Sequence, residues 1–157
     1  MPKGICIKNI QILVIALTSP LLFGIYDEKG EFIQEIQSDK KSDEALIEII
    51  DEILNKNRYK ISKIIYANGP GSFMGIKVSY IILKTLSIIK ECEFYAVSGF
   101  ELNDNAPIRA NKALSFVKFQ DEIKLEKTET GNFKLPSNLD VLNLNFDTLP
   151  NYIIQAV

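Results

Sequence analysis

Residues 63–77 read KIIYANGPGSFMGIK, and this stretch decides the fold because it places a glycine-rich loop between a strand and a helix. The β-rich run Lys63–Ala67 predicts a strand, and apolar residues at helical spacing after the loop predict a helix over Phe73–Lys90. Backbone amides and the positive end of the helix dipole meet at such a junction, so an anion can bind there.

The loop satisfies neither of the common nucleotide-binding motifs. A Walker loop needs lysine directly after its last glycine, whereas Ile76 follows Gly75. The Rossmann spacing fails because Met74 stands where the third glycine belongs. Because neither motif is satisfied, the loop is expected to have only a weak potential to bind an anion.

A structural role for the loop competes with ligand binding. In that alternative Gly69 and Gly71 permit a tight turn, Pro70 stiffens it and Ser72 caps the helix. Glycine at position 75, in the first helical turn, costs about 1 kcal/mol relative to alanine and marks a close approach by another backbone or by a ligand.

Strand and helix patterns continue on both sides of the loop. Their order is a three-strand meander, helix, strand, helix and strand, which predicts a mixed α/β sheet of the actin-like and ribonuclease-H-like superfamily. Beyond residue 99 the pattern predicts a short helix and two further strands. The remaining predicted elements are strands at Ile12–Leu17, Leu21–Tyr26, Glu31–Gln37, Glu93–Val97, Ala113–Phe119 and Glu122–Lys127, and a helix around Leu46–Leu54 capped by Ser42 or Asp43.

The composition excludes several classes of function. The chain of 157 residues contains no histidine, so Ser/His and Cys/His nucleophile systems are excluded. A net charge of −2 gives no electrostatic reason to bind a polyanion unaided. Cys6 and Cys92 lie in no disulfide or metal pattern, and no secretory or membrane-spanning segment is evident. We expect reduced thiols, no metal site, no membrane partner and a cytoplasmic location.

The loop resembles the signature of the TsaB (YeaZ) family, GPGSFTG followed by a small apolar residue and a base. Six of the seven signature positions match, with Met74 in place of threonine, and Lys77 replaces the usual arginine. The resemblance extends over residues 11–100. It implies an N-terminal extension at 1–10, an actin-like domain at 11–107 and a shortened C-terminal subdomain at 108–157.

The family resemblance implies a non-catalytic subunit required for threonylcarbamoyladenosine formation on tRNA. TsaB proteins support the catalytic paralogue TsaD, and the ATPase TsaE joins that assembly. The pathway modifies the adenosine next to the anticodon of tRNAs that read codons beginning with A. The expected chain has no intrinsic cofactor, meets ATP at the partner interface and meets tRNA only within the complex.

TsaB is expected to bind TsaD through a bundle of the two predicted helices. In the second helix one apolar stripe comprises Val78, Ile81, Ile82, Leu86 and Ile89, and further apolar side chains at Tyr80, Leu83 and Ile88 give more surface than one sheet needs to bury. The predicted partner-binding residues are Leu46, Ile50, Phe73, Met74, Gly75, Lys77, Val78, Ile81, Ile82, Leu86 and Ile89.

Two other functions compete with the scaffold. A small actin-like kinase or ribonuclease-H-like enzyme needs carboxylates around a metal at strand ends, but Ala16 stands where the first one is expected. A homodimer through the same apolar helix is the other, and it is compatible with the scaffold role.

Overall fold

A computed structural model describes residues 8–152, in which five strands form one mixed sheet. The strand order is β3-β2-β1-β4-β5, with β1 antiparallel to β2 and parallel to β4. This confirms the predicted fold class. The strands are β1 Asn9–Ile15, β2 Leu21–Tyr26, β3 Phe32–Ser38, β4 Lys60–Ala67 and β5 Glu93–Val97.

The central strand β1 is buried on both faces, as its continuous apolar run predicts. It begins at Asn9 rather than Ile12, because its first residues pair with Lys60 and Ile61 at the start of β4. The predicted N-terminal extension therefore includes the start of this strand, and its residues 1–7 lie outside the described part of the chain.

Two helices cover one face of the sheet. They are α1, Ser42–Asp51, which continues as a π-helical turn over Glu52–Lys56, and α2, Phe73–Lys90. The predicted cap of α1 is wrong: Lys41 occupies the N-cap position, and no side chain caps this helix. The bounds of α2 are those that the sequence predicts.

The core between the sheet and this helix layer is mostly aliphatic, and it also contains the buried rings of Phe23 and Tyr66. Its fully buried side chains come from both the strands and the helices, and they include Ile12 and Val14 of β1, Leu46 of α1 and Leu83 of α2. Each helix thus fixes its position by inserting one row of side chains into the sheet, which leaves its opposite side free of the core.

An extended segment, residues 133–152, covers the other face of the sheet, and we call it the strap. It packs Leu139 and neighbouring apolar residues against Leu13 and Ile15 of β1. The Tyr26 hydroxyl donates a hydrogen bond to the Pro136 carbonyl at 2.8 Å, and Asn145 pairs with Ala96 at the β5 edge. The sheet is therefore closed by a helix layer on one side and by irregular chain on the other.

A small antiparallel sheet lies between α2 and the strap in sequence. It contains β6, Ile108–Arg109, β7, Ser115–Phe119, and β8, Glu122–Glu126, and a 3-10 turn at Gly99–Leu102 precedes it. The sequence predicts the last two strands but misses β6, since two residues are too few to give a periodic signal.

Within residues 8–152, no helix is long and apolar enough to cross a membrane. Cys92 is a free thiol, and its partial burial raises its pKa. Cys6 lies outside the described residues.

Candidate functional site

The three glycines around the signature loop are each required by a close approach of the chain to itself. Gly69 has φ +134°, and a Cβ there would overlap the carbonyl oxygen of Asn151 in the strap. A Cβ on Gly71 would overlap Leu17, and one on Gly75 would overlap the carbonyl oxygen of Ala16 at the end of β1. The close approach predicted at Gly75 is therefore made by backbone.

Hydrogen bonds of the loop point to the same structural role. The Ser72 hydroxyl accepts from the amide of Gly75 at 3.2 Å, which confirms the predicted cap of α2. The Ser72 amide donates to the Leu17 carbonyl at 2.7 Å, and the Gly99 amide donates to the Gly69 carbonyl at 3.0 Å. The loop thus joins the ends of β1, β4 and β5 and sets the start of α2.

A cavity of about 1080 Å³ opens beside the loop. One wall consists of residues 17–20 and 72–74, and the other consists of residues 108–110 and 130–135. Two cationic side chains, Arg109 and Lys134, line it, with Glu35 as the acidic lining residue. The sequence pattern did not single out these two cations, because they lie 25 residues apart on a short unpredicted strand and an irregular segment.

Among the described residues that line the cavity, Glu35 is the one carboxylate. Ala16 is buried at the end of β1, where actin-like ATPases carry a carboxylate, and its carbonyl contacts the first turn of α2. Among the described residues, no group of three or more histidine, cysteine, aspartate or glutamate side chains is arranged to hold a metal ion.

The outward face of α2 carries a row of exposed apolar side chains. Met74, Ile81 and Ile88 follow one another at seven-residue spacing and are 62%, 51% and 65% exposed. Since seven residues make about two helical turns, these side chains lie on one line along the helix. We call this line, with the exposed flanking side chains of Phe73 and Ile89, the outer stripe.

The inward face of α2 differs from the predicted apolar stripe. The buried residues are Gly75, Ile76, Ser79, Leu83 and Leu86, with Ser87 near the end of the helix. Two serines occupy positions of this row where apolar residues are expected. They can be buried because the Ser79 and Ser87 hydroxyls donate to backbone carbonyls one turn earlier. The predicted apolar stripe therefore mixes the two faces of α2. Ile81 and Ile89 face outward, as expected of partner-binding residues, whereas Leu86 faces the core together with Leu83.

The predicted partner-binding residues divide by location. Three of them face the interior and are corrected here: Leu46 and Leu86 belong to the helix-side core, and Gly75 is buried against Ala16. Phe73, Met74, Lys77, Ile81 and Ile89 are exposed, whereas Ile50, Val78 and Ile82 are half-buried. Ile88 of α2 and Ile47 of α1, both exposed, were absent from the predicted set.

Charge is distributed unevenly over the helix layer. Residues 73–90 contain three lysines, Lys77, Lys84 and Lys90, and no acidic residue. The neighbouring α1 and its π-helical turn carry five carboxylates, Asp43, Glu44, Glu48, Asp51 and Glu52, against one lysine. The apolar row on α2 is therefore flanked by positive charge, with an acidic helix beside it.

The fold and the loop define a class, the actin-like proteins with a mixed sheet and a two-helix layer on one face. A solved structure of YeaZ from Pseudomonas aeruginosa superimposes with a TM-score of 0.58 and 15% identity, over 76% of this chain and 65% of that chain. A second structure, described as an uncharacterized protein with similarity to peptidase YEAZ from Pseudomonas aeruginosa, has the same score and identity and is covered to 64%. The chain spans about 65% of the length of these structures.

A family model confirms the kinship that the signature loop indicates. The model of TsaD, tRNA N6-adenosine threonylcarbamoyltransferase, matches residues 32–113, just over half of the chain. The chain belongs to this family, and its fold is YeaZ (TsaB)-like. No curated protein sequence matches it.

Proposed function

We propose that the chain is a non-catalytic scaffold subunit of tRNA threonylcarbamoyladenosine biosynthesis, which binds and supports a catalytic TsaD protein. The observation that carries this proposal is the outer stripe on α2. A row of exposed apolar side chains on a helix is expensive to leave in water and is typical of an interaction surface.

The chemistry of the outer stripe favours a helical partner with acidic flanks. Met74, Ile81 and Ile88 present the spacing that a second helix meets when two helices pack side by side. Lys77 and Lys84 border the row and form no salt bridge among the described residues, and the Lys84 ammonium lies over the Phe94 ring, 5.9 Å from its centroid. Carboxylates on the partner would therefore meet two ammonium groups that have no carboxylate beside them.

A non-catalytic role is supported by the residues that the chain lacks. The matching family model is named for a transferase, an enzyme. A sequence without histidine, however, has no imidazole ligand for a catalytic metal. Ala16 supplies no carboxylate at the end of β1. In this proposal the catalytic groups belong to the TsaD partner, and ATP binds at the interface with it. TsaE joins the assembly, and the chain meets tRNA in the cytoplasm only within the complex.

Co-elution of two purified proteins tests the scaffold proposal. We expect the chain and the TsaD protein of the same organism to co-elute from a sizing column at micromolar concentration, and separate elution would refute the proposal. Formation of threonylcarbamoyladenosine on a tRNA transcript should require both proteins and TsaE, and the chain alone should produce none.

The outer stripe also supports a homodimer of the free chain. The basic α2 of one copy can face the acidic α1 of another in a symmetric four-helix arrangement. Light scattering should then give the mass of a dimer for the chain alone. In the complex it should give the mass of one copy of the chain bound to one TsaD protein. A monomer at all concentrations would exclude this second state.

An ATPase or nuclease activity is the alternative, and the cavity beside the loop is where it would reside. Incubation of the chain alone with ATP or with tRNA in the presence of Mg²⁺ tests it. We expect no product, and metal-dependent hydrolysis would replace the scaffold proposal with an enzymatic one.

A further inference from the structure

The end of the strap lies directly on the signature loop. The Asn151 amide donates to the Asn68 carbonyl at 2.7 Å, and the Asn151 carbonyl lies over the α-carbon of Gly69. The Tyr66 hydroxyl donates to the Thr148 carbonyl. These contacts fix residues 148–152 against the carboxyl end of β4, at the start of α2.

An aromatic pair connects this part of the strap to the outer stripe. The ring of Tyr152 stacks on that of Phe73, with 4.4 Å between centroids and 29° between planes. Phe73 is the first residue of α2 and is 58% exposed, and Met74 beside it begins the outer stripe. The apolar surface therefore continues from Ile88 along α2 to Met74, Phe73 and then onto Tyr152.

We infer that the end of the strap, residues 148–152, forms part of the docking surface, so the TsaD-type partner contacts Tyr152 together with the outer stripe. This inference rests on the proposed function and extends it to a segment that the signature does not include. The surface of the partner that covers Tyr152 is the same one that fits α2, an apolar helical surface with acidic flanks. The exposed side chains of Met74 and Phe73 adjoin the half-buried ring of Tyr152, and this continuity supports one partner covering both.

The alternative is that Tyr152 only clamps the loop. Tyr152 is half-buried and packs against the strap-side core, so it has a structural contact in either case. The two roles differ in one respect, which is whether the exposed part of its ring becomes covered when the partner binds.

Hydroxyl-radical footprinting of the wild-type chain, alone and with the TsaD protein, makes that distinction without any substitution. We expect oxidation of Tyr152 to fall at least about threefold in the complex, together with oxidation of Phe73 and Met74. Phe146, which is 86% exposed on the strap at the β5 edge, is the internal control and should be oxidised equally in both samples. Unchanged oxidation of Tyr152 beside protected Met74 would overturn the inference.

Affinity measurements with matched variants provide a second test. Tyr152→Ser should weaken partner binding about tenfold, Tyr152→Phe should bind like wild type, and Phe146→Ser should change the affinity less than twofold. Equal affinities for Tyr152→Ser and wild type, or an equal loss in Phe146→Ser, would contradict a role at the interface. Should Tyr152→Ser fail to fold, the footprinting result decides. If wild type fails to bind the partner, the scaffold proposal itself fails, which is a different outcome.

Discussion

The two faces of the five-stranded sheet are closed by different means. On one face, α1 and α2 insert regular rows such as Leu46 and Leu83 into a mostly aliphatic core. On the other face, the strap crosses the strands as irregular chain and is anchored by few buried side chains, such as Leu139. The helix layer is thus a rigid platform that exposes a regular apolar row, whereas the strap packs some apolar residues on the sheet and at the start of α2 and leaves others, such as Val141 and Phe146, exposed without a regular pattern.

The largest expected effect compares the same substitution on the two faces. Leu83→Ala should lower the free energy of unfolding by about 4 kcal/mol, because Leu83 is fully buried within a regular layer that cannot collapse around the cavity. Leu139→Ala should cost about 2 kcal/mol, since irregular chain relaxes more easily. Denaturant unfolding measures both free energies.

Val141→Ala is the matched control for the strap, because this side chain is exposed. We expect its unfolding free energy to change by less than about 0.5 kcal/mol. A larger loss for Leu139→Ala than for Leu83→Ala would contradict the view that the helix layer is the more rigid face.

The next effect concerns the loop that joins the two faces. Gly75→Ala should destabilise the protein by about 2–3 kcal/mol, because its methyl group would overlap the Ala16 carbonyl oxygen. That oxygen belongs to the backbone and cannot turn aside as a flexible side chain could. Met74→Ala at the adjacent exposed position should have little effect on stability, which thermal denaturation of both variants would check. A Gly75→Ala protein as stable as wild type would show that α2 can move away from β1.

A smaller effect is expected where the strap meets the helix side. Tyr66→Phe removes the hydrogen bond from the Tyr66 hydroxyl to the Thr148 carbonyl and should cost about 1 kcal/mol. Chemical denaturation near neutral pH measures this loss, and a stability equal to wild type would mean that the bond holds the strap only weakly.

The same residue predicts how stability depends on pH. Burial raises the pKa of Tyr66 above its usual value of 10.0, so the folded protein keeps a proton that the unfolded chain releases at high pH. This contribution to stability is complete below pH 10.0 and is lost as the pH rises above it. We expect a shallower decline in Tyr66→Phe than in wild type, with Tyr26 adding a similar slope in both proteins. Parallel declines would contradict this assignment.

The sequence predicts the regular elements well and the surfaces between them less well. The bounds of α2 and β5 follow from apolar periodicity, and the Ser72 cap follows from local chemistry. The predicted stripe of α2 mixed its two faces and placed Leu86 outside the core, because Ser79 and Ser87 satisfy their hydroxyls within the helix and pack inward. Periodicity counts apolar residues and does not detect such serines.

The strap was beyond prediction for a physical reason. Its contacts with the loop are backbone hydrogen bonds between residues about 80 positions apart, such as Asn68 with Asn151, and backbone groups carry no sequence signal. The requirement for glycine at position 69 is visible in the sequence, but its cause, the Asn151 carbonyl, is visible only in the folded chain. The same holds for the stacking of Tyr152 on Phe73.

Titration calorimetry with the TsaD protein, using wild type and Ile81→Asp, tests the docking surface most directly. Ile81 is half exposed at the centre of the outer stripe, so Ile81→Asp should leave stability within about 0.5 kcal/mol of wild type. The wild-type chain should bind with a dissociation constant of about 1 μM or less, and Ile81→Asp should bind at least about 100-fold more weakly. A folded Ile81→Asp variant with wild-type affinity would contradict the assignment of the outer stripe as the partner surface.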